Sequence, residues 1–334
     1  MSNSKTTRSA AALTLLLTVA VCLCGGWQQG RVIGGGVLGS PTSGGTGPAL
    51  VQVCAMNQSS SVSTLNVTAS CVTNITAGHA LLIVNTFGTT STVLTGISDT
   101  QGNLAPNNCG GDALTQTLCF APITTGGTDA ITITSSASGG SILFVAELKN
   151  VGADTGATTS TMSEAGSTVT ATNSLSISAN QWVHVYGCSI AGYNGIFVVA
   201  GTGSGNFTYT AASGLGASPT GCNVAKSPVD RVNSATLTSS TSWSGGAVTP
   251  SVVNDMIFFW GGNVSTNNTF TAGNLTLPSG TCTNTTTITA GQCSGGNQSG
   301  FLEYEVDAST SAFTPTITLN TAMTGITGTV AILP

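Results

Sequence analysis

Apolar and polar residues alternate in short stretches along most of this chain. Ile131-Thr132-Ile133-Thr134, Ala235-Thr236-Leu237-Thr238 and Thr316-Ile317-Thr318-Leu319 change character at every residue, the two-residue period of a strand with one buried face. Three other stretches, 80–84 (ALLIV), 182–186 (WVHVY) and 256–260 (MIFFW), are apolar almost throughout, as in strands buried on both faces or nearly so. Gly, Asn and Ser punctuate these segments as turns, and the Leu/Glu/Lys/Arg periodicity that builds helices is almost missing. The pattern predicts an all-β chain of short strands.

The strands recur in a fixed order. Ala77-Gly78-His79, Ala179-Asn180-Gln181 and Val253-Asn254-Asp255 each put a two-residue turn signal and a polar residue before an apolar strand. Each copy closes with a Thr-alternating strand, a turn rich in Ser, Thr and Gly, and an apolar strand, ending near Val145-Ala146, Ala247-Val248 and Val330-Ala331. Units of this size predict tandem β-sandwich modules of immunoglobulin-like or jelly-roll type over 48–152, 153–249 and 250–334. The third opening follows the second closing almost at once, so the last two modules could share a sheet and form one domain. Residues 26–47, with Gly34-Gly35-Gly36 and Pro48 closing a Ser/Thr/Gly run, read as a linker.

One segment differs. Lys5 and Arg8 precede an apolar run over 10–23, the layout of a secretory signal, so residues 1–25 are expected to form a signal helix. The run is short for a bilayer span, which leaves no membrane span expected in the mature chain, whether the leader is cut or kept as an anchor. The rest should fold in an oxidising exterior, secreted or at the cell surface. Eight cysteines lie beyond the leader, and their placement within the copies pairs Cys54 with Cys71, Cys109 with Cys119, Cys188 with Cys222, and Cys282 with Cys293. None has the C-x2-C spacing of a zinc site.

The stretch Ala77 to Val84, the turn Thr95-Gly96-Ile97-Ser98-Asp99-Thr100-Gln101-Gly102-Asn103, and the strand Ile142 to Val151 resemble a loosely defined group of secreted bacterial β-sandwich modules. Their turn reads T-D-S-x-G-N followed by an aromatic; here Leu104 and Ala105 stand where the aromatic would be. The resemblance covers mainly 75–152, implies an extracellular sandwich, and carries over no catalytic residue.

Composition narrows the partners. Charged residues are 5% of the chain, and Ser and Thr together number 95 of 334, so the surface is solvated by hydroxyls rather than ions. Beyond the leader only Arg31, Lys149, Lys226 and Arg231 are basic, too few to neutralise a phosphate backbone, which argues against nucleic acid. Gly34 to Gly39 matches G-x-G-x-x-G, but Pro41-Thr42-Ser43-Gly44-Gly45 follows where the motif needs a helix.

Candidate chemistry is sparse. Glu303, Glu305 and Asp307 would project from one face of a strand, either as calcium ligands or, in the reading favoured here, as a solvated edge that discourages aggregation. No other cofactor is expected. His79 and His184 belong to the openings, and no G-x-S-x-G elbow accompanies them. Trp243, in a Ser/Gly-rich turn with Tyr193, Tyr209 and Phe207 as companions, is the best exposed ring for a glycan. The expected function is a non-enzymatic, secreted or surface structural protein of adhesion type, with polysaccharide or other surface proteins as partners. The alternatives are a carbohydrate-binding module, a fibre subunit that self-associates by adding residues 49–53 to a neighbour's sheet, and a hydrolase pairing Glu303 with Glu147.

Overall fold

The computed structural model describes residues 32–33, 36–37, 47–54, 57–59, 65–87, 94–104, 108–110, 116–135, 141–216, 218–263, 268–278, 292–295 and 298–334. Residues 1–46 and 47–334 are separate units. In the first, β1 (Val32–Ile33) and β2 (Gly36–Val37) pair as an antiparallel hairpin. The expected signal helix, most of the linker, and Cys282 with its bridge to Cys293 lie outside the described residues.

The second unit is all-β, built from sandwich-like layers of antiparallel sheets. Its first module pairs two sheets. One holds β3 (Ala49–Val53), β11 (Ser141–Lys149), β6 (Ala80–Phe87), β9 (Gln116–Pro122) and β8 (Cys109–Gly110) in that spatial order, with β4 (Asn57–Ser59) also on β11. The other is β5 (Leu65–Ser70), β10 (Ala130–Ser135) and β7 (Leu94–Asp99). Ile131 and Ile133 point inward against Leu81, Ile83, Leu143 and Val145, as their alternation with threonine requires.

The second module sets β12 (Thr155–Thr159), β19 (Asn223–Lys226), β15 (Trp182–Tyr186) and β16 (Gly195–Val198) over β13 (Thr161–Ala165), β14 (Thr168–Thr172), β18 (Asn206–Thr210) and β17 (Gly201–Gly203). Val183, Val185 and Val224 meet Val169, Phe207 and Tyr209 between them.

The third sheet runs β20 (Val229–Ser244), β25 (Thr316–Ile332), β21 (Asp255–Asn263), β24 (Gln298–Asp307) and β23 (Gln292–Gly295), with β22 (Phe270–Ala272) on β25. Register shifts between Leu237 and Ser242 bend the long β20–β25 ribbon. Its far half brings Trp243, Ile317, Leu319 and Met323 over Ile257, Phe259 and Phe301, so one folded sheet encloses its own core. Residues 235–237, which the sequence places in the closing of the second copy, pair with 325–327 in this third sheet, while β19 supplies the strand beside β15.

Both faces of the first module's larger sheet are covered. Leu82, Ile142, Phe144 and Ala146 pack on Met256, Phe258, Trp260 and Leu302 of the third module, with Ile196 of the second in the same cluster. That is why β6 and β21 read as continuous apolar runs. Gly78, Asn180 and Asn254, the second turn residues of the three openings, share left-handed backbones with φ of 89°, 66° and 69°. Disulfides join Cys54–Cys71, Cys109–Cys119 and Cys188–Cys222, each inside one module, as the spacing predicts.

Candidate functional site

Strand β24 alternates as its sequence demands. Leu302 enters the inter-module core, while Phe301 and, by period two, Glu303, Glu305 and Asp307 face the interior of the third module. The solvated edge expected for these carboxylates is therefore corrected at two of the three: Glu303 is 0% exposed and Asp307 9%, while Glu305 is half-buried. Two things cover Glu303 and Asp307. The bent β20–β25 ribbon closes over that face, and Thr276 hydrogen-bonds in both directions with the Tyr304 backbone along the outer edge of β24.

Glu303 accepts one hydrogen bond, from the Gly273 N–H at 3.3 Å, and its Oε2 has no donor. Burial pushes its carboxyl up to about 8 despite that bond. Among the described residues no group of three or more His, Cys, Asp or Glu is placed to hold a metal ion. Glu303, Glu305 and Asp307 spring from positions about 7 Å apart along the strand, whereas calcium draws its oxygens to about 2.4 Å.

Two further carboxylates, which sequence reasoning missed, join this site. Asp255 opens β21 directly across from Asp307 and is 0% exposed. Asp230, in β20, is also buried. Asp230 Oδ1 accepts from Arg231 Nη1 at 2.8 Å and its Oδ2 accepts from the Ser251 N–H at 2.6 Å. Burial, then the hydrogen bond to Asp230 and the negative charges of Asp230 and Asp307, push the Asp255 carboxyl up to about 8, against the pull of the Arg231 guanidinium. Asp255 faces the core because it occupies the polar slot that His79 and Gln181 fill in the other openings, but one residue inside its strand.

Beside Asp230 lies a cavity of about 220 Å³ where the second and third modules meet, lined by Trp182, Gln181, Lys226, Ser227 and Ser251 among others. Trp182 is half-buried and packs against the inter-module core. The aromatic platform expected at Trp243 does not exist. Trp243 is 0% exposed, with Nε1 donating to the Met323 carbonyl at 3.3 Å, and Tyr193, Tyr209 and Phe207 are buried as well. The Ser/Gly-rich flanks of Trp243 belong to a strand at the fold of the sheet, so the ring turns inward where a surface turn would have turned it out.

The remaining candidates are tied into structure. Glu147 is sealed in the first module and accepts from His79 Nδ1 at 2.7 Å, the Thr76 N–H at 2.9 Å and Gln52 Nε2 at 2.6 Å. It faces the core of that module, two sheets away from Glu303, so the pair cannot flank one substrate. His184 Nδ1 meets Asp154 Oδ2 at 2.5 Å, and its Nε2 is buried without a partner. In the turn after β7, Asp99 accepts from the Asn103 and Leu104 N–H groups, and Asn103 Oδ1 accepts from Thr124 and Thr125. This clasp joins two loops, with Gly102 at φ 75° making the turn.

No family model, curated protein or solved structure matches the chain.

Proposed function

We propose that this chain is a non-enzymatic structural protein of the cell exterior, secreted or held at the surface, of adhesion type. The observation that carries the reading is the fused body itself. Sheets of three sandwich-like modules share one core, and the first two modules are each stapled by disulfides of their own. Disulfides point to an oxidising environment, and no helix among the described residues is long and apolar enough to cross a membrane. Bridges closing 10 to 34 residues stabilise by roughly 3 to 4 kcal/mol each in the chain-entropy model. Glu147, Asp255 and Glu303 are turned into module interiors, while hydroxyls such as Thr168, Thr172 and Thr210 face water.

The reading is tested by fractionating the producing cells and reacting intact cells with a membrane-impermeant label. Disulfide-bonded chain in the medium or labelled at the surface supports it. Chain found reduced in the cytosol refutes it.

A glycan-binding role is the second reading, and it rests on Trp182 at the junction cavity in place of Trp243. Loss of retention on insoluble polysaccharide in Trp182→Ala, with Trp243→Phe unaffected, would support it. Strand addition by residues 49–53 is less economical: β3 is already paired with β11 in its own sheet and must leave it before completing a neighbour's.

A further inference from the structure

Three carboxylates, Asp230, Asp255 and Asp307, gather where β20, β21 and β24 come together. The charges reaching Asp255 come from Asp230 and Arg231 on β20 and from Asp307 on β24. Residues 332–334, at the end of β25, bring no titratable side chain, and Lys226 of β19 lines the same cavity as Asp230. With Asp230 and Asp255 both ionised, the one guanidinium of Arg231 would face two buried carboxylates, and the Asp255 charge would lack a donor of its own.

The donors are already assigned. Arg231 and the Ser251 N–H serve Asp230, and the Ser309 N–H serves Asp307. Asp255 has two buried oxygens and no N–H or hydroxyl donor for either, and the backbone brings Asp230 beside it: Val229 and Met256 register on the same residue, Ile332, and Asp230 accepts from the Ser251 N–H, four residues before Asp255. Two neighbouring buried carboxyls, one of them without any donor, are eased by a proton held between them.

We propose that a proton shared between Asp255 and Asp230 is a pH-sensitive latch, tying the start of β21 to the start of β20 beside the junction with the second module. With the proton in place, the Asp255 hydroxyl donates to Asp230. When alkali removes it to solvent, two anions face each other, and repulsion falls on Asp230, which holds the Ser251 loop and lines the junction cavity. Alkaline pH thus loosens the seam between the second and third modules, and acid pH closes it.

Carbon-13 NMR of the aspartate carboxyls in the whole chain tests this residue by residue, which separates Asp255 from Glu303, whose carboxyl burial also pushes up to about 8. Asp255 should titrate well above the ordinary carboxylate range, and Asp230→Asn should lower its midpoint by about one pH unit or more. Protection of the Ser251 amide from hydrogen exchange should fall about tenfold more between pH 6 and 9 in the native chain than in Asp255→Asn, whose amide still donates to Asp230. Titration of Asp255 near pH 4, or a midpoint that Asp230→Asn leaves unmoved, would overturn the latch. If Asp255→Asn fails to fold, the native and Asp230→Asn titrations still decide.

Discussion

Glu303 offers the sharpest test of how this fold handles its few charges. Its carboxyl is sealed from solvent with one donor for two oxygens, and burial pushes it from 4.5 up to about 8. Because the folded chain holds the proton more tightly than the unfolded chain, this group's contribution is fully present below about pH 4.5. It declines by about 1.4 kcal/mol per pH unit as pH rises, and levels off above about pH 8. The ceiling on the loss is ~5 kcal/mol for one group. Local opening that hydrates the carboxylate brings the expected loss to about 2 to 4 kcal/mol, or roughly 3 to 7 °C in Tm for one cooperative unit spanning residues 47–334.

Glu303→Gln removes the titration and keeps an acceptor for the Gly273 N–H. At pH 5 it exchanges a buried O–H for a buried amide with one more unmet donor, costing about 1 kcal/mol. At pH 8.5 it spares the fold a buried anion. The Tm-against-pH curves of native chain and variant should therefore cross, with the variant less stable in acid and more stable in alkali. A slope from Asp255 remains in both. Curves that run parallel, or a native Tm that climbs from pH 5 to 8.5, would refute the reasoning.

Three further outcomes are expected. Gly325→Ala places a Cβ 2.1 Å from Trp243 Cη2 and 2.8 Å from the Gly262 carbonyl, so it should cost about 2 to 4 kcal/mol in chemical denaturation, with the near-ultraviolet signal of the tryptophan altered. Cys188→Ser with Cys222→Ser reopens a 34-residue loop, and a loss of about 3 to 4 kcal/mol should appear as a lower denaturation midpoint. Ile142 Cδ1 lies where side chains at Gly262 and Gly300 would collide with it, at 2.7 and 2.8 Å from their added Cβ atoms. Gly300→Ala should therefore lower a single calorimetric transition shared by all modules; two or more independent transitions would show that the modules fold separately.

Much of the strand content was legible because period-two alternation reports directly which residues face a core. Ile131, Ile133, Ile317 and Leu319 point inward, and the openings at 80–84 and 256–260 are buried on both sides, as their unbroken apolar runs imply. Three of the four expected bridges were legible because each pair of cysteines falls within one copy or in the strands before the first, and Cys109 and Cys119 come to occupy directly opposed positions on neighbouring strands. Trp243 was misread because a Ser/Thr/Gly context signals a surface turn only where the chain does turn. Here those small residues let a strand bend and two layers approach, as Gly325 does against the indole ring.

The acidic site was half legible for a deeper reason. Glu303, Glu305 and Asp307 were visible as a one-faced row, but whether that face meets water depends on what folds over it. The cover is the far half of β20 and β25, residues that look like the ends of two different copies. Asp255 and Asp230, 25 positions apart with ordinary turn and strand signals around them, become neighbours only once β20 crosses from the second copy's sequence into the third copy's sheet. A strand that changes modules leaves no mark in local periodicity, because its alternation is satisfied equally well in either sheet. What betrays it is the unpaid charge: a buried carboxylate without a donor locates the seam where two stretches of chain, each readable alone, were joined by the fold.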